Sequence, residues 1–318
     1  MSHDEKRNMA HSVFQRLLNQ AKAREIDFNL LLSRYGMERF IYRLSISPYC
    51  EQFILKGASL FLVWKGQDYR VTRDADFLGF GDPAPEQLKE QFQIICRQDC
   101  PTDDGMEFHP DTVVAQAIRE EQEYDGVRVT LTGNLGNARI PLQIDIGFGD
   151  AITPQPDEIE YPTLLDNPAP HLKAYPRYTL VAEKFEAMVQ LGIANSRMKD
   201  FFDIWLLAQI FEFEGSMLAK AISNTFERRG TSLPKERPLA LTSGFYEDTQ
   251  KKLQWNAFVR TANPGVEVGS LKAVVTAVSV FLMPVVESAL SGEKFETTWS
   301  PASGWQDLES IIKVAHPE

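Results

Sequence analysis

Three aspartates stand in two short strands more than sixty residues apart: Arg73-Asp74-Ala75-Asp76-Phe77-Leu78 and Leu142-Gln143-Ile144-Asp145-Ile146-Gly147-Phe148. Side chains alternate faces along a strand, so Asp74 and Asp76 point the same way with Cα atoms roughly 7 Å apart. Asp145 lies on the face opposite Ile144, Ile146 and Phe148. Aspartate is poorly suited to strands, and Asp145 interrupts an otherwise apolar one. Three carboxylates gathered on one sheet face repel unless a cation lies between them. Mg²⁺ takes oxygen ligands and commonly bridges carboxylates to substrate phosphates. In a two-metal site such ions deprotonate an attacking hydroxyl and hold the phosphates being displaced. The pattern therefore points to phosphate chemistry without a P-loop, with Asp74, Asp76 and Asp145 as ligands. The bland alternative is two solvated strand aspartates and one unrelated acid.

Other residues could serve the same chemistry. Lys56-Gly57-Ala58-Ser59 reads as a strand-to-helix turn whose backbone N–H groups could approach a triphosphate; alone it is a weak signal. Asp203 is the only charge between Asp200 and Glu212, in the apolar run Phe201-Phe202-Asp203-Ile204-Trp205. An acid there is partly buried and needs a partner. Two partners are open on spacing: Lys184, one helix earlier, and Lys199 at i−4. Arg197 and Lys199, in an interhelix turn, are either phosphate contacts or solvated side chains. The segment from Arg228 to Arg237 is either an RNA-backbone contact or a charged solvent loop. Arg70 and Arg73, beside the aspartate strand, are better placed for a substrate or the nucleotide.

The elements that must position these residues are legible in outline. Residues 10–47 read as two helices, ended by Pro48. Residues 53–55 lead into the glycine turn and a short apolar helix to Lys65, stopped by Gly66. Residues 74–81 form a strand, 86–99 a helix, and 127–132 with 140–148 a hairpin. Residues 150–177, rich in proline, read as a surface connector. From Thr179 onward the patterns are helical: 179–192, 200–213, 217–228, 239–262 and 269–290. A mixed α/β domain over residues 1–175 followed by a helical domain over 176–318 is expected, with the site in the cleft between them.

The chain has 318 residues, 43% hydrophobic and 11% aromatic, enough for a substantial core. A net charge of −11 argues against a generally cationic nucleic-acid binder but leaves room for a local basic groove. Three cysteines without a CxxC and five scattered histidines give no disulfide framework and no zinc site. The start Met1–Arg7 lacks an apolar signal core. The longest apolar run, residues 273–286, contains Pro284 and is too short to span a bilayer. No membrane association and a cytoplasmic location are expected.

Taken together, these residues resemble the AbiEii/AbiGii toxin family of nucleotidyltransferases, within the DNA polymerase β-like superfamily. The resemblance runs through Leu55-Lys56-Gly57-Ala58-Ser59-Leu60, Arg70-Val71-Thr72-Arg73-Asp74-Ala75-Asp76-Phe77, Ile144-Asp145-Ile146, Ala182-Glu183-Lys184-Phe185 and Asn195-Ser196-Arg197-Met198-Lys199-Asp200-Phe201-Phe202-Asp203. It implies an α+β fold with a mixed sheet flanked by helices. It implies a transferase that moves a nucleoside monophosphate from an NTP to an acceptor with Mg²⁺, or Mn²⁺ in its place. Asp74, Asp76 and Asp145 would be metal ligands. Lys56, Gly57, Ser59, Thr72, Arg73, Arg197 and Lys199 would line the nucleotide site. Lys184 would grip the triphosphate, oriented by Asp203. Some members modify the 3′ end of tRNA and so block translation, usually beside a separately encoded antitoxin. The sequence departs from the family pattern at Ala58, where a second glycine is usual, and in the length of residues 59–73. Two rivals stand beside this reading: the same chemistry on a protein or small-molecule acceptor, and a non-catalytic nucleotide- or partner-binding module.

Overall fold

The computed structural model describes residues 3–66, 74–119, 125–262 and 266–307. The chain divides into two compact units, Met1–Gly149 with Asp157–Tyr175, and Asp150–Pro156 with Pro176–Glu318.

The first unit is a seven-stranded mixed sheet with helices. Its strands are β1 (Phe53–Lys56), β2 (Asp74–Gly79), β3 (Met106–Arg119), β4 (Asp125–Leu135), β5 (Ala138–Phe148), β6 (Asp157–Glu160) and β7 (His171–Ala174), in the spatial order β3-β4-β5-β2-β1-β7-β6. β2 runs parallel to β5 and antiparallel to β1. The helices are α1 (His3–Ala23), α2 (Phe28–Ser45), α3 (Leu60–Lys65) and α4 (Pro85–Cys96). Asp27 caps α2 by accepting from the Leu30 N–H at 2.9 Å, which satisfies one of the orphan donors at a helix start. Gly36 lets α2 lie close on the sheet: a Cβ there would stand 2.8 Å from Ile140 Cγ2. Leu55, Ala75, Val129 and Ile144 are fully buried on one sheet face. Phe53 on β1 meets Phe77 on β2 and Phe92 on α4, with centroids 6.3 and 5.6 Å away.

A buried ion network ties α2 to the start of β3. Asp104 accepts from Arg39 Nε at 2.8 Å and from both terminal nitrogens of Arg43 at 2.8 and 3.0 Å. Burial works against the Asp104 charge, but Arg43 and Arg39 outweigh it and hold its carboxyl below the usual range.

The second unit contains α5 (Arg177–Leu191), α6 (Met198–Ile210), α7 (Gly215–Arg228), α8 (Ser243–Tyr246), α9 (Thr249–Ala262) and α10 (Leu271–Ser291), with a small sheet of β8 (Phe213–Glu214), β9 (Thr297–Ser300) and β10 (Gly304–Asp307). Helix α10 is long and apolar enough to cross a membrane by length and composition, longer than the apolar run suggests. Nine of its residues are buried, and it packs on α6 and α7. Phe281 on α10 meets Phe213, Trp299 and Trp305 at 5.0, 4.9 and 5.7 Å. The Trp299 and Trp305 indoles donate to the carbonyls of Ala208 and Phe281.

Several expectations from the sequence need correction. The proline-rich stretch is not merely a connector, because β6 and β7 add two strands to the sheet edge. Strand β3 was not foreseen. The span 239–262 is two helices and a 3₁₀ turn, not one helix. The C-terminal part carries a three-stranded sheet besides its helices.

Candidate active site

Strand register builds the site in the first unit. Lys56 pairs with Asp76, Asp76 with Asp145, and Asp145 with Arg128. Paired residues share a face, so four adjacent strands present Lys56, Asp76, Asp145 and Arg128 as one row: cation, anion, anion, cation. The next row on that face holds Asp74, Gln143 and Thr130. Alternation gives the opposite face to Leu55, Ala75, Ile144 and Val129, which seal the core. Asp74 is exposed, and Asp76 and Asp145 are half-buried.

The two central carboxylates each engage a neighbour on the outer side. Arg128 forks Asp145, Nε to Oδ1 and Nη2 to Oδ2, both at 2.8 Å. That bidentate bond raises the Arg128 pKa above its ordinary value, and the charges of Asp145, Asp74 and Asp76 add to it. Asp76 instead lies over Gly57: a Cβ on Gly57 would stand 2.0 Å from Asp76 Oδ2. Gly57 also has φ +73°, a conformation that glycine adopts freely and other residues rarely. The turn and the aspartate strand thus fit as one piece, with the carboxylate filling the space a side chain would take. Asp76 leans toward β1 and Asp145 toward β4, as two like charges on adjacent strands favour.

This arrangement fits a hard cation in part. Asp74 and Asp76 supply carboxylate oxygens on an accessible face, and Mg²⁺ is commonly held by one or two carboxylates together with substrate phosphates. Among the described residues, no three acidic, histidine or cysteine side chains are gathered closely enough to hold an ion by themselves. Asp145 shares the row, but its charge is already matched by Arg128.

A second charged cluster lies in the second unit. Lys184 on α5 donates to Asp200 Oδ1 at 2.6 Å and lies 2.8 Å from Asp203 Oδ2 on α6. Of the two partners open to Asp203 on spacing, Lys184 is in contact. Burial opposes the Lys184 charge, but Asp200 and Asp203 outweigh it and raise its pKa. Asp200, fully buried, is lowered for the reciprocal reason, with Arg197 at 2.6 Å adding to the effect. An ammonium has three donors, and two are engaged here. Lys199 is exposed.

The remaining expected site residues fall differently. Ser59 is 1% exposed at the start of α3 and does not share the open face with Lys56. Arg70, Thr72 and Arg73 lie outside the described residues. In the segment from Arg228 to Arg237, Arg229 is enclosed by Asp150, Glu183 and Glu186 at 3.0 to 3.4 Å; it ties the second unit together and is not a surface contact for RNA.

Comparison with known proteins decides the family. A family model described as nucleotidyl transferase AbiEii toxin, type IV toxin–antitoxin system, matches residues 39–279. The chain belongs to this family. It is an AbiEii nucleotidyltransferase, and the match spans both the aspartate row and the Lys184 cluster. No curated protein matches the sequence significantly. Two solved structures from Helicobacter pylori are similar. JHP933 is 14% identical, with TM-score 0.47 over 83% of this chain and 94% of that one. A candidate nucleotidyltransferase is 13% identical, with TM-score 0.47 over 84% and 99%. The assignment rests on the family match. AbiEii membership brings with it an NTP substrate, a divalent metal in general terms, and an antitoxin partner.

Two residues of this AbiEii chain that the sequence did not single out are Arg128 and Asp200. The signal for Arg128 was present. Leu135 pairs with Ala138 across the two-residue Gly136-Asn137 turn, and a tight turn fixes hairpin register, which puts Arg128 opposite Asp145. Nothing comparable marks Asp200, whose burial depends on how α5 meets α6.

Proposed function

We propose that the enzyme transfers a nucleoside monophosphate from an NTP to the 3′ end of tRNA, blocking translation, with Mg²⁺ as the metal and the cytoplasm as its place of action. The observation that carries this is the row Lys56–Asp76–Asp145–Arg128 with Asp74 beside it on an open face of the sheet, in a chain of the AbiEii family. Residues 1–175 would carry the transfer chemistry, and 176–318 the helical remainder.

Asp74 and Asp76 would hold the metal, and Asp145 would face it as the third carboxylate. The ion supplies charge neutralisation at the phosphates and activation of the acceptor hydroxyl. Lys56 and the Gly57 turn flank Asp76 and would steady the phosphates. Arg128 holds Asp145 in place and offsets part of the negative charge that an NTP would meet. In the second unit Lys184 is held by Asp200 and Asp203. The acceptor oxygen bonds to the α-phosphorus, the bond to the β-phosphate bridge breaks, pyrophosphate leaves, and the hydroxyl proton passes to solvent. Most of the rate comes from positioning and charge complementarity.

The test is transfer of label from each α-³²P NTP to total tRNA with Mg²⁺, with Asp74→Ala in parallel. Label on tRNA that disappears in Asp74→Ala supports the proposal. An active Asp74→Ala enzyme sinks it. The net charge of −11 favours a second acceptor class, a protein or small molecule. Asp74-dependent label in those fractions, with none on tRNA, would select it.

A further inference from the structure

A cavity of 790 Å³ opens beside Asp74 within the first unit, in the size range of small-ligand sites. Its floor continues the open sheet face away from the carboxylates. Beyond the row of Asp74, Gln143 and Thr130 come Thr132, opposite Pro141, and then Arg139. Asn29 of α2 lines the cavity as well. Thr130 and Arg139 are exposed, Gln143 is half-buried, and Arg139 Nη2 reaches Thr132 Oγ1 at 3.4 Å. From Gln143 to Arg139 the strand runs about 13 Å. The polar part of the wall is therefore hydroxyls and amides leading from the metal-ligand candidates to one guanidinium, the only cation among the described lining residues, and Leu32, Leu131, Ile140, Pro141 and Leu142 make the rest apolar.

We infer that this cavity is the acceptor pocket, taking the 3′-terminal nucleotide of an RNA strand with Arg139 on its phosphate. The inference rests on the nucleotidyl-transfer reading above. In such a transfer the attacking and leaving oxygens lie roughly in line through the phosphorus. The Gly57 turn and Lys56 sit on β1, to one side of Asp76. A pyrophosphate drawn toward that turn leaves the opposite flank for the attacking hydroxyl. The cavity lies on that flank, over β5 and β4, and reaches the row through Asp74. Its chemistry suits one nucleotide: a guanidinium fork for a phosphate, carboxamides at Asn29 and Gln143 for a base edge, and the Thr130 hydroxyl for a ribose hydroxyl. An RNA end presents few phosphates to neutralise, so a chain of net charge −11 can take it without a broad basic surface.

Arg139→Ala and Thr130→Val test this in the full-length protein, with circular-dichroism melts confirming that each variant folds. Steady-state transfer gives KM for acceptor RNA and for NTP separately. Fluorescence anisotropy gives the Kd of a labelled short oligoribonucleotide with a free 3′ hydroxyl. We expect Arg139→Ala to raise the acceptor KM and the oligonucleotide Kd together by about tenfold. The NTP KM should not move and kcat should stay within about twofold, with Arg139→Lys intermediate. Unchanged acceptor KM and oligonucleotide Kd in Arg139→Ala overturn the inference. So does wild-type label found only on protein or small molecules. If the wild type shows no Asp74-dependent transfer, the parent reading fails, and the anisotropy arm still decides whether the cavity holds an RNA end.

Discussion

Two charged clusters, one in each unit, use the same side-chain chemistry to different ends. In the first unit the Asp145 and Arg128 side chains are 17% and 42% exposed, and Asp74 beside them is open to solvent. In the second, Lys184, Asp203 and Asp200 are 9%, 2% and 0% exposed. An exposed pair contributes little to folding, so charge gathered on the open face is available for a ligand. A sealed cluster has already lost its water, and each member depends on the others. Exposure, more than residue type, separates the face where the transfer is proposed from a cluster that holds its own side chains in place.

That contrast can be broken in order of expected effect. Removing an open-face carboxylate should cost activity and almost no stability: Asp76→Ala should lower transfer by about 10³-fold or more, while its melting temperature stays near wild type. Breaking the sealed cluster should do the reverse. Lys184→Met leaves two buried carboxylates without their shared cation and should destabilise the protein by about 3–5 kcal/mol, read from urea unfolding; adding Asp200→Asn and Asp203→Asn should restore part of it. Gly57→Ala lies between the two. It asks an L residue to hold φ +73° and puts a Cβ into the Asp76 carboxylate, so both transfer and stability should fall, the latter by about 1–3 kcal/mol.

The pH dependence of stability sharpens the comparison further. Asp200 is lowered, so its contribution is present above the unfolded aspartate value of about 3.9 and is lost as pH falls through the lower folded value. Lys184 is raised, so its share is present below about 10.4 and is lost as pH rises through the higher folded value. The sealed cluster therefore supports stability across the whole neutral range. Glu38 on α2 behaves oppositely. Burial pushes its carboxyl up to about 7, against the smaller opposing effects of the Leu164 N–H, Arg39 and Arg34. Its ionisation should reduce stability as pH rises from about 4.3 to about 7, and Glu38→Gln should flatten that part of the denaturation profile. The smallest effect should come from the exposed Arg16–Asp166 pair, where Arg16→Ala should leave the urea midpoint unchanged.

Much of the first unit was legible because its signals are local. Asp74, Ala75 and Asp76 show strand alternation, Gly136-Asn137 marks a hairpin, and Lys56-Gly57 marks a turn. What escaped were elements whose pattern is set by distant neighbours. Strand β3 carries His109-Pro110 and a register shift between His109 and Val114, so its alternation is interrupted. Strands β6 and β7 are four residues each, among prolines that read as loop. In the site, the aspartates declared themselves as acids in apolar strands. Their engagement by Arg128 and Gly57 depends on register and on a close approach that no single segment displays. The Lys184–Asp203 contact was one of two possibilities on spacing, and Asp200 joined it only through packing.

The most direct test of the open-face site is Asp76→Asn, which keeps the shape that fits against Gly57 and removes the charge. Pyrophosphate release with NTP, Mg²⁺ and acceptor RNA should disappear in this variant while its thermal unfolding curve overlays the wild type. An Asp76→Asn protein that releases pyrophosphate at the wild-type rate would contradict the assignment of the aspartate row as the catalytic centre.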